Sequence, residues 1–567
     1  MSEWSKVLDS KSSEVNSLRG FESHPLCQQH LAKANEVPLE PSDAHSTRAV
    51  SFGPCPCQYH LVYLQIAHQQ SLFLGGIILS NRVRTRFAPS PTGYMHIGNL
   101  RTALYGYLFS KSQNGDFLLR IEDTDQKRYV ADAVEFIQNT LKAANIIPNE
   151  GPDIGGDCGP YIQSQRLDIY KKYAEELIEK GHAYRCFCND CSEEQHAAQE
   201  AGDAKSFGGY NRACRDLEQS VIDQYLAEGR PYVIRQKMPL TGEVTFHDVV
   251  HGNITIACDT LEDQVILKRD GMPTYNFANV IDDHLMDISH IFRGTEFITS
   301  TPKHVLLYQF LGWEPPVFIH LPPVMGKNED GSISKLSKRH GATGFSQLVD
   351  MGYLPEAITN YVALLGWSPK SEQEIFTMDE LIERFSLEGL SKSPAVFDYN
   401  KLDWVNGEYF KSMSDEDFAK KSSAFGGIIA ESLGDKWTYL ASLLKTRVSR
   451  FNEIPEQIGF FKDLPDYDID LFNNKRNKVT PEKAAEILPV VIEVLEKVET
   501  WTPEGIDEVL QPGVAESGIK MGTFMWPARI ALSGQKVTPG GVTELLYLLG
   551  REESMKRLNL GLTKVQG

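Results

Sequence analysis

No apolar run in this 567-residue chain approaches the ~18 residues that a membrane-spanning helix needs. The nearest candidate, Leu72 to Leu79, is short and interrupted by Gly75 and Gly76. A secretory signal is missing from the N-terminus. Internal repeats and low-complexity tracts are missing as well, which excludes solenoids and fibres. Cysteine is scarce, and the nine present are odd in number and clustered, so a disulfide framework is excluded and a reducing compartment is expected. Positive charge is also in short supply. The formal net charge of −19 argues against non-specific adhesion to nucleic acid, and any nucleic-acid partner has to be met by local basic patches.

What is present fits a globular protein, with 41% hydrophobic and 23% charged residues. The length implies three or four domains, because one core stops growing well before this size. Residues 1–80 have no sustained period and read as an extension of unknown role. Glu3, Asp9, Glu14 and Glu22 break the Arg-rich, acid-poor pattern of a mitochondrial presequence.

From Arg82 the alternation of Val83, Thr85 and Phe87 with Arg84 and Arg86 predicts a strand with a basic face. Leu100, Leu104, Tyr107 and Leu108 predict a helix that stops at Asn114-Gly115, and Phe117 to Ile121 a second strand delivering Glu122. Further helices are predicted over 131–144 and 165–180. Beyond His182 the texture changes to that of an inserted module ending near Asp263. Val265 to Lys268 then resumes a parallel sheet, a helix starts at Tyr275, a strand delivers Arg293, and Thr301-Pro302 supplies an N-cap and first-turn proline. After residue 345 the pattern is mostly helical.

Between the first strand and helix lies Arg86-Phe87-Ala88-Pro89-Ser90-Pro91-Thr92-Gly93-Tyr94-Met95-His96-Ile97-Gly98-Asn99. Glycines flanking an imidazole at a helix start let backbone N–H groups approach phosphates. Far downstream, Lys335-Leu336-Ser337-Lys338-Arg339 lies between Gly331-Ser332 and His340-Gly341, as a flexible basic loop closing on a leaving pyrophosphate should. Arg293 suits bidentate grip of a carboxylate. Tyr275 and Asn279, four apart, share a helix face. Cys186, Cys188, Cys214 and Tyr210 offer three thiols and a phenol, enough for a tetrahedral zinc site, with Cys191 competing for the fourth position; reduced thiols without metal are the alternative.

The order and separation of these two loops resemble class I aminoacyl-tRNA synthetases, and Arg86 to Gly93 resembles the glutamyl-tRNA synthetase family. His96-Ile97-Gly98-Asn99 and Lys335 to Arg339 are similar to its two signatures, with Asn99, Leu336 and Arg339 as variants. The resemblance implies His96, Lys335 and Lys338 as catalytic residues. It implies His96, Gly98, Asn99, Glu296, Lys335, Leu336, Ser337, Lys338 and Arg339 as the ATP site. Glutamate binding falls to Arg86, Phe87, Ala88, Ser90, Glu122, Tyr275, Asn279 and Arg293, with Glu122 on the amino group. Arg450 matches a position near the last anticodon base, and the cysteine spacing resembles the module touching the tRNA acceptor end.

The expected fold class is multidomain. An α/β doubly wound nucleotide-binding catalytic domain (81–181 and 264–345) carries an inserted α+β module (182–263), and all-α C-terminal domains follow: a stem-contact domain (346–410) and an anticodon-binding domain (411–567). The implied activity is ligation of glutamate to tRNA(Glu) with ATP and Mg2+, zinc being open, by a monomer without membrane association. The matrix is the expected location in a eukaryote and the cytoplasm otherwise. Rival readings are a tRNA-modifying transferase lacking the anticodon module, a glutaminyl enzyme with a β-barrel there, and an inactive tRNA-binding paralogue.

Overall fold

The computed structural model describes residues 82–567, except for residues 94, 189–209 and 342 and for the side chain of Lys338. The expectations for residues 1–80 and for Cys191 lie outside the described residues. In chain order the first part comprises β1 (Arg84–Phe87), α1 (Ile97–Ser112), β2 (Asp116–Leu119), α2 (Ala133–Ala143), α3 (Leu167–Glu179) and β3 (Ala183–Cys186). There follow α4 (Gln219–Ala227), β4 (Val233–Gln236), β5 (Glu243–Asp248), β6 (Gly252–Ala257) and β7 (Val265–Leu267). Then come α5 (Tyr275–Leu285), β8 (His290–Gly294), α6 (Thr301–Leu311), β9 (Val317–Leu321), β10 (Val324–Lys327), β11 (Ile333–Lys335) and, after three short α-helices, β12 (Ala395–Phe397).

The main sheet has the order β2-β1-β8-β9-β5-β6, parallel from β2 to β5, with β6 antiparallel at the edge. Parallel strands need covered faces, and every residue of β1 and β2 is buried. The basic face predicted for β1 is therefore an interior one. α1 is buried on most of its circumference, packed between the sheet and the helices Pro355–Ala363 and Met378–Arg384. A β-carbon at Gly115 would lie 2.0 Å from the Val83 carbonyl oxygen, so the tight return from α1 to β2 requires glycine there.

Three expectations are corrected. Val265 to Lys268 does not resume the parallel sheet: β7 pairs antiparallel with β4 in the separate sheet β3-β4-β7, covered by α3 and α5. A short apolar run reads alike in either setting. The inserted module instead lends the main sheet β5 and β6. Thr301 is the first helical residue rather than the cap; its hydroxyl donates to the Phe297 carbonyl.

Downstream, β11-β10-β12 form a small sheet, and after Phe397 the described residues contain no strand. The helices there divide between two cores. One runs through Phe410, Trp437 and Phe451 and is continuous with the catalytic core, and the other, from Phe460 to Leu558, is its own. The helix Lys436–Leu444 stops short of Arg450, which is extended.

Candidate active site

A cavity of about 280 Å³ opens at the carboxyl ends of β1, β8 and β9, where ligands bind in sheets of this kind. All eight residues assigned to glutamate line it: Arg86, Phe87, Ala88, Ser90, Glu122, Tyr275, Asn279 and Arg293. So do His96, Gly98, Asn99, Glu296, Lys335 and Leu336. Ser337 and Arg339 do not; the Arg339 guanidinium turns along the hairpin and donates to Ser334 Oγ at 2.7 Å. Arg101, Thr102, Phe297 and Thr343 also line the wall, and nothing in their local sequence singled them out.

At the sheet end, Glu122 Oε1 accepts from Arg120 Nη2 and Asn279 Nδ2, both at 2.9 Å. Its Oε2 and Asn279 Oδ1 are buried acceptors without a donor. Leaving two such atoms empty is costly, and an ammonium group would satisfy both. Burial raises Glu122 above the ordinary carboxylate range despite Arg120 and Arg86 beside it.

Arg86 does not present a free fork. Its Nε and Nη2 donate to Asp283 at 3.0 and 3.2 Å, and Nη1 reaches the Phe292 carbonyl at 3.4 Å. Asp283 also takes Arg120 at 2.8 Å, and Asp282 takes Arg166 at 2.8 Å and the Tyr170 hydroxyl at 2.8 Å. This buried lattice lies under the cavity floor. Arg293 differs: its nitrogens donate to His320 Nε2, His304 Nδ1 and Thr301 Oγ1, all neutral, and no carboxylate among the described residues pairs with it. Burial lowers its pKa from the usual guanidinium value.

At the opposite end His96 is the N-cap of α1. Its Nδ1 accepts from Gly98 N–H at 3.0 Å and Asn99 N–H at 3.3 Å. These two amides, expected to meet phosphate, are thus occupied by the ring. A neutral imidazole accepting at Nδ1 carries its proton on Nε2, which becomes the donor offered to a ligand. Desolvation in the cleft, reinforced by the Lys335 ammonium, holds His96 below the ordinary imidazole range.

The basic loop is fastened rather than flexible. His340 packs on Gly326, accepts from Ser337 N–H at 3.0 Å through Nδ1, and reaches Asn328 Oδ1 at 2.8 Å through Nε2. The strand ends at Lys335, in the cavity wall. Immediately after the loop, the Thr343 carbonyl accepts from Ile97 N–H at 2.9 Å, and His96 and Gly344 form an antiparallel bridge. The two signature segments therefore flank one cleft.

Comparisons agree with this geometry. Residues 82–404 match the family model for the catalytic domain of class I tRNA synthetases (E and Q), and 403–562 match an anticodon binding domain. The chain belongs to the glutamate–tRNA ligase family. It is 48% identical over 489 residues to the glutamate–tRNA ligase of Clostridium botulinum, covering 86% of this chain and 99% of that one. The ligase of Clostridium kluyveri is 47% identical over 487 residues, covering 86% and 98%. A crystal structure of a glutamate tRNA ligase from Elizabethkingia meningosepticum in complex with its amino acid superposes with a TM-score of 0.75 at 36% identity, covering 86% of this chain and all of that one. The helices after Phe397, with no strand among the described residues, exclude the β-barrel of a glutaminyl enzyme; the anticodon-domain match excludes the transferase lacking that module.

Two outlying predicted sites of this family member are also placed. The Sγ atoms of Cys186, Cys188 and Cys214 lie within 4.8 Å of one another, with 3.3 Å between Cys188 and Cys214. The Tyr210 hydroxyl is 3.2 Å from Cys186 Sγ, so the donor set fits a tetrahedral zinc. Burial and the neighbouring sulfurs push the Cys188 thiol up to about 12. Arg450 sits away from the cleft with its Nε 3.0 Å from Glu453 and 3.4 Å from Asp403, over the Tyr353 ring. Both carboxylates meet it through Nε.

Proposed function

We propose that this chain activates L-glutamate with ATP to glutamyl-adenylate and transfers the glutamyl group to tRNA(Glu). The observation that carries the reading is the pairing, in one cavity, of two donorless acceptors on Glu122 and Asn279 with a guanidinium on Arg293 that lacks a carboxylate partner. An amino acid with an ammonium at one end and a side-chain carboxylate at the other satisfies both. An uncharged amide would leave part of the Arg293 fork unpaired, which disfavours glutamine.

With those ends held, the α-carboxylate faces the half of the cavity bearing His96 and Lys335, where the α-phosphorus of ATP is to be attacked in line. His96 Nε2–H donates to a phosphate oxygen, and Lys335 with Lys338 offsets charge on departing pyrophosphate. Arginine, lysine and histidine outnumber Glu122 and Glu296 on the wall, so Mg2+ fits as a companion of the ATP phosphates, supplying Lewis-acid polarisation. The 2′-hydroxyl of the terminal ribose then attacks the carbonyl of the mixed anhydride, forming the ester as the C–O bond to phosphate breaks and AMP leaves. Zinc held by Cys186, Cys188, Cys214 and Tyr210 would brace the inserted module against the acceptor end, and the helical domain would take the anticodon. A monomer suffices for this site, since its residues come from one chain. The matrix in a eukaryote, or the cytoplasm in a bacterium, is the compartment this reading adopts.

The test is aminoacylation of purified glutamate and glutamine tRNAs. Glutamate charging is expected, and Lys338→Ala should lower the rate on the order of 100-fold, as for loss of one such charge in the transition state. Equal rates in the variant would remove that lysine from the mechanism, and no charging by the parent protein would leave the inactive paralogue.

A further inference from the structure

The guanidinium of Arg293 is held by two imidazoles whose orientation is set elsewhere. Arginine nitrogens only donate, so His320 Nε2 at 3.0 Å and His304 Nδ1 at 3.1 Å must both accept. Each ring is neutral for that reason and carries its proton on the far nitrogen. For His320 that nitrogen is Nδ1, 2.7 Å from Asp248 Oδ2. For His304 it is Nε2, 2.8 Å from Asn276 Oδ1.

Both outer partners are themselves fixed. Asp248, fully buried at the end of β5, accepts from the backbone N–H groups of Val250, His251 and His320 at 2.8–2.9 Å. Asn276 cannot flip, because its Nδ2 donates to Gln264 Oε1 at 3.0 Å while the Gln264 amide donates to Gln236. The Gln236 amide ends the run on the Lys303 carbonyl. Two chains of donors, each with one direction, thus converge on a single side chain.

The count of protons is informative. Arg293 has five N–H groups, and His320, His304 and Thr301 take three, one on each nitrogen. Two more remain on the terminal nitrogens, with the neutral Tyr275 hydroxyl as the guanidinium's further hydrogen-bond partner, and this pair can grip a carboxylate bidentately. Asp248 is separated from the guanidinium by a whole imidazole. Arg86 in the same cavity wall shows the contrast: Asp283 binds it directly and takes its fork.

We propose that His320 and His304, with tautomers set by Asp248 and Asn276, are positioning residues that fix Arg293 without neutralising it and thereby set the preference for a side-chain carboxylate over an amide. This rests on the reading of Arg293 as the glutamate side-chain site. Burial takes His320 down to about 4 and His304 well below the ordinary imidazole range, so both rings stay neutral across working pH. Asp248 reaches the cradle from β5 of the main sheet and Gln236 from β4 of the separate sheet, so amino-acid selection draws on both sheets.

The experiment measures steady-state aminoacylation by the full chain with its tRNA, reading KM for glutamate, KM for ATP and the kcat/KM ratio of glutamate to glutamine. Asp248→Asn, which places an amide donor against His320, and His320→Leu should each raise the glutamate KM and lower that ratio by roughly tenfold or more, leaving the ATP KM within about twofold. His320→Gln, which returns an acceptor oxygen to Arg293, should recover most of the loss. Thermal unfolding of each variant accompanies the kinetics. Unchanged glutamate KM and ratio in Asp248→Asn and His320→Leu, with Arg293→Gln strongly impaired, overturns the proposal. So does a parallel rise in both KM values with no rescue by His320→Gln. Unchanged glutamate KM in Arg293→Gln removes the underlying assignment instead, and is distinguished by that variant alone.

Discussion

His96 Nδ1 lies 3.0 Å from Gly98 N, and a β-carbon built at 98 would sit 2.9 Å from the His96 ring. The glycine is therefore part of how the imidazole is aimed: only a residue without a side chain lets the ring fold back onto the helix N-terminus. Gly98→Ala should push the ring off its cap and misplace Nε2–H. We expect kcat for glutamate activation to fall by about tenfold or more while the melting temperature changes little, since cap loss costs about 1 kcal/mol. Pyrophosphate exchange alongside a thermal melt checks both halves.

The same contact has a pH signature. Because the folded-state pKa of His96 is depressed, its contribution is present above the ordinary imidazole value and is lost as pH falls through the lowered one. Protonation puts a hydrogen on Nδ1, where Gly98 and Asn99 now donate. Activity should decline on the acid side below pH about 6.5, and His96→Asn, which caps without titrating, should flatten that limb at a lower plateau. A pH–rate profile with the acid limb unchanged in His96→Asn would assign it to another group.

Asp283 answers two buried arginines at once, Arg86 at 3.0 Å and Arg120 at 2.8 Å. Burial opposes its charge, yet the two guanidiniums prevail and hold its pKa below the ordinary aspartate value. Asp283→Asn removes the anion and leaves both cations in the interior. A loss of about 3–5 kcal/mol is expected, read as a lower denaturant midpoint, where a surface pair would cost under about 1 kcal/mol. As the shift is downward, the stabilisation should be present above pH about 4 and vanish as pH falls through the depressed value.

Zinc should be measurable as one equivalent per chain. The Cys188 thiol is raised by burial, so binding must expel its proton and should weaken steeply as pH falls. Cys214→Ser is expected to abolish the metal signal in elemental analysis and to increase proteolysis within the inserted module, while glutamate KM stays within about twofold. Metal retained by Cys214→Ser would point to a different donor set.

Much of the cleft was legible in the sequence because its chemistry is local. His96 with Gly98, and Lys335 with Lys338, occur in short strings whose residue types admit few other purposes. The support beneath them was not. Arg84 and Arg86 alternate with apolar residues as a solvated strand face would, and only the sheet order shows that Asp116, Glu150 and Asp283 are waiting for them inside. Asp282-Asp283 carry no local mark of their burial against Arg86, Arg120 and Arg166. His340 looked like part of a flexible loop, because its partner Gly326 lies on another strand. Val265 to Leu267 was placed in the wrong sheet since a three-residue apolar run carries no information about its neighbour. Long-range pairings of charge and strand order are what periodicity cannot encode.

The last strand of the parallel series, β5, joins the main sheet through Asp248 opposite Phe318. A deletion removing the whole insertion would thus strip the β9 edge of its neighbour and expose Phe318, which packs with Val244 and Phe246. The catalytic half cannot be trimmed to a minimal adenylating fragment at residues 182 and 263. Any viable miniaturised version has to keep the hairpin from Glu243 to Ala257 and cut on its N-terminal side.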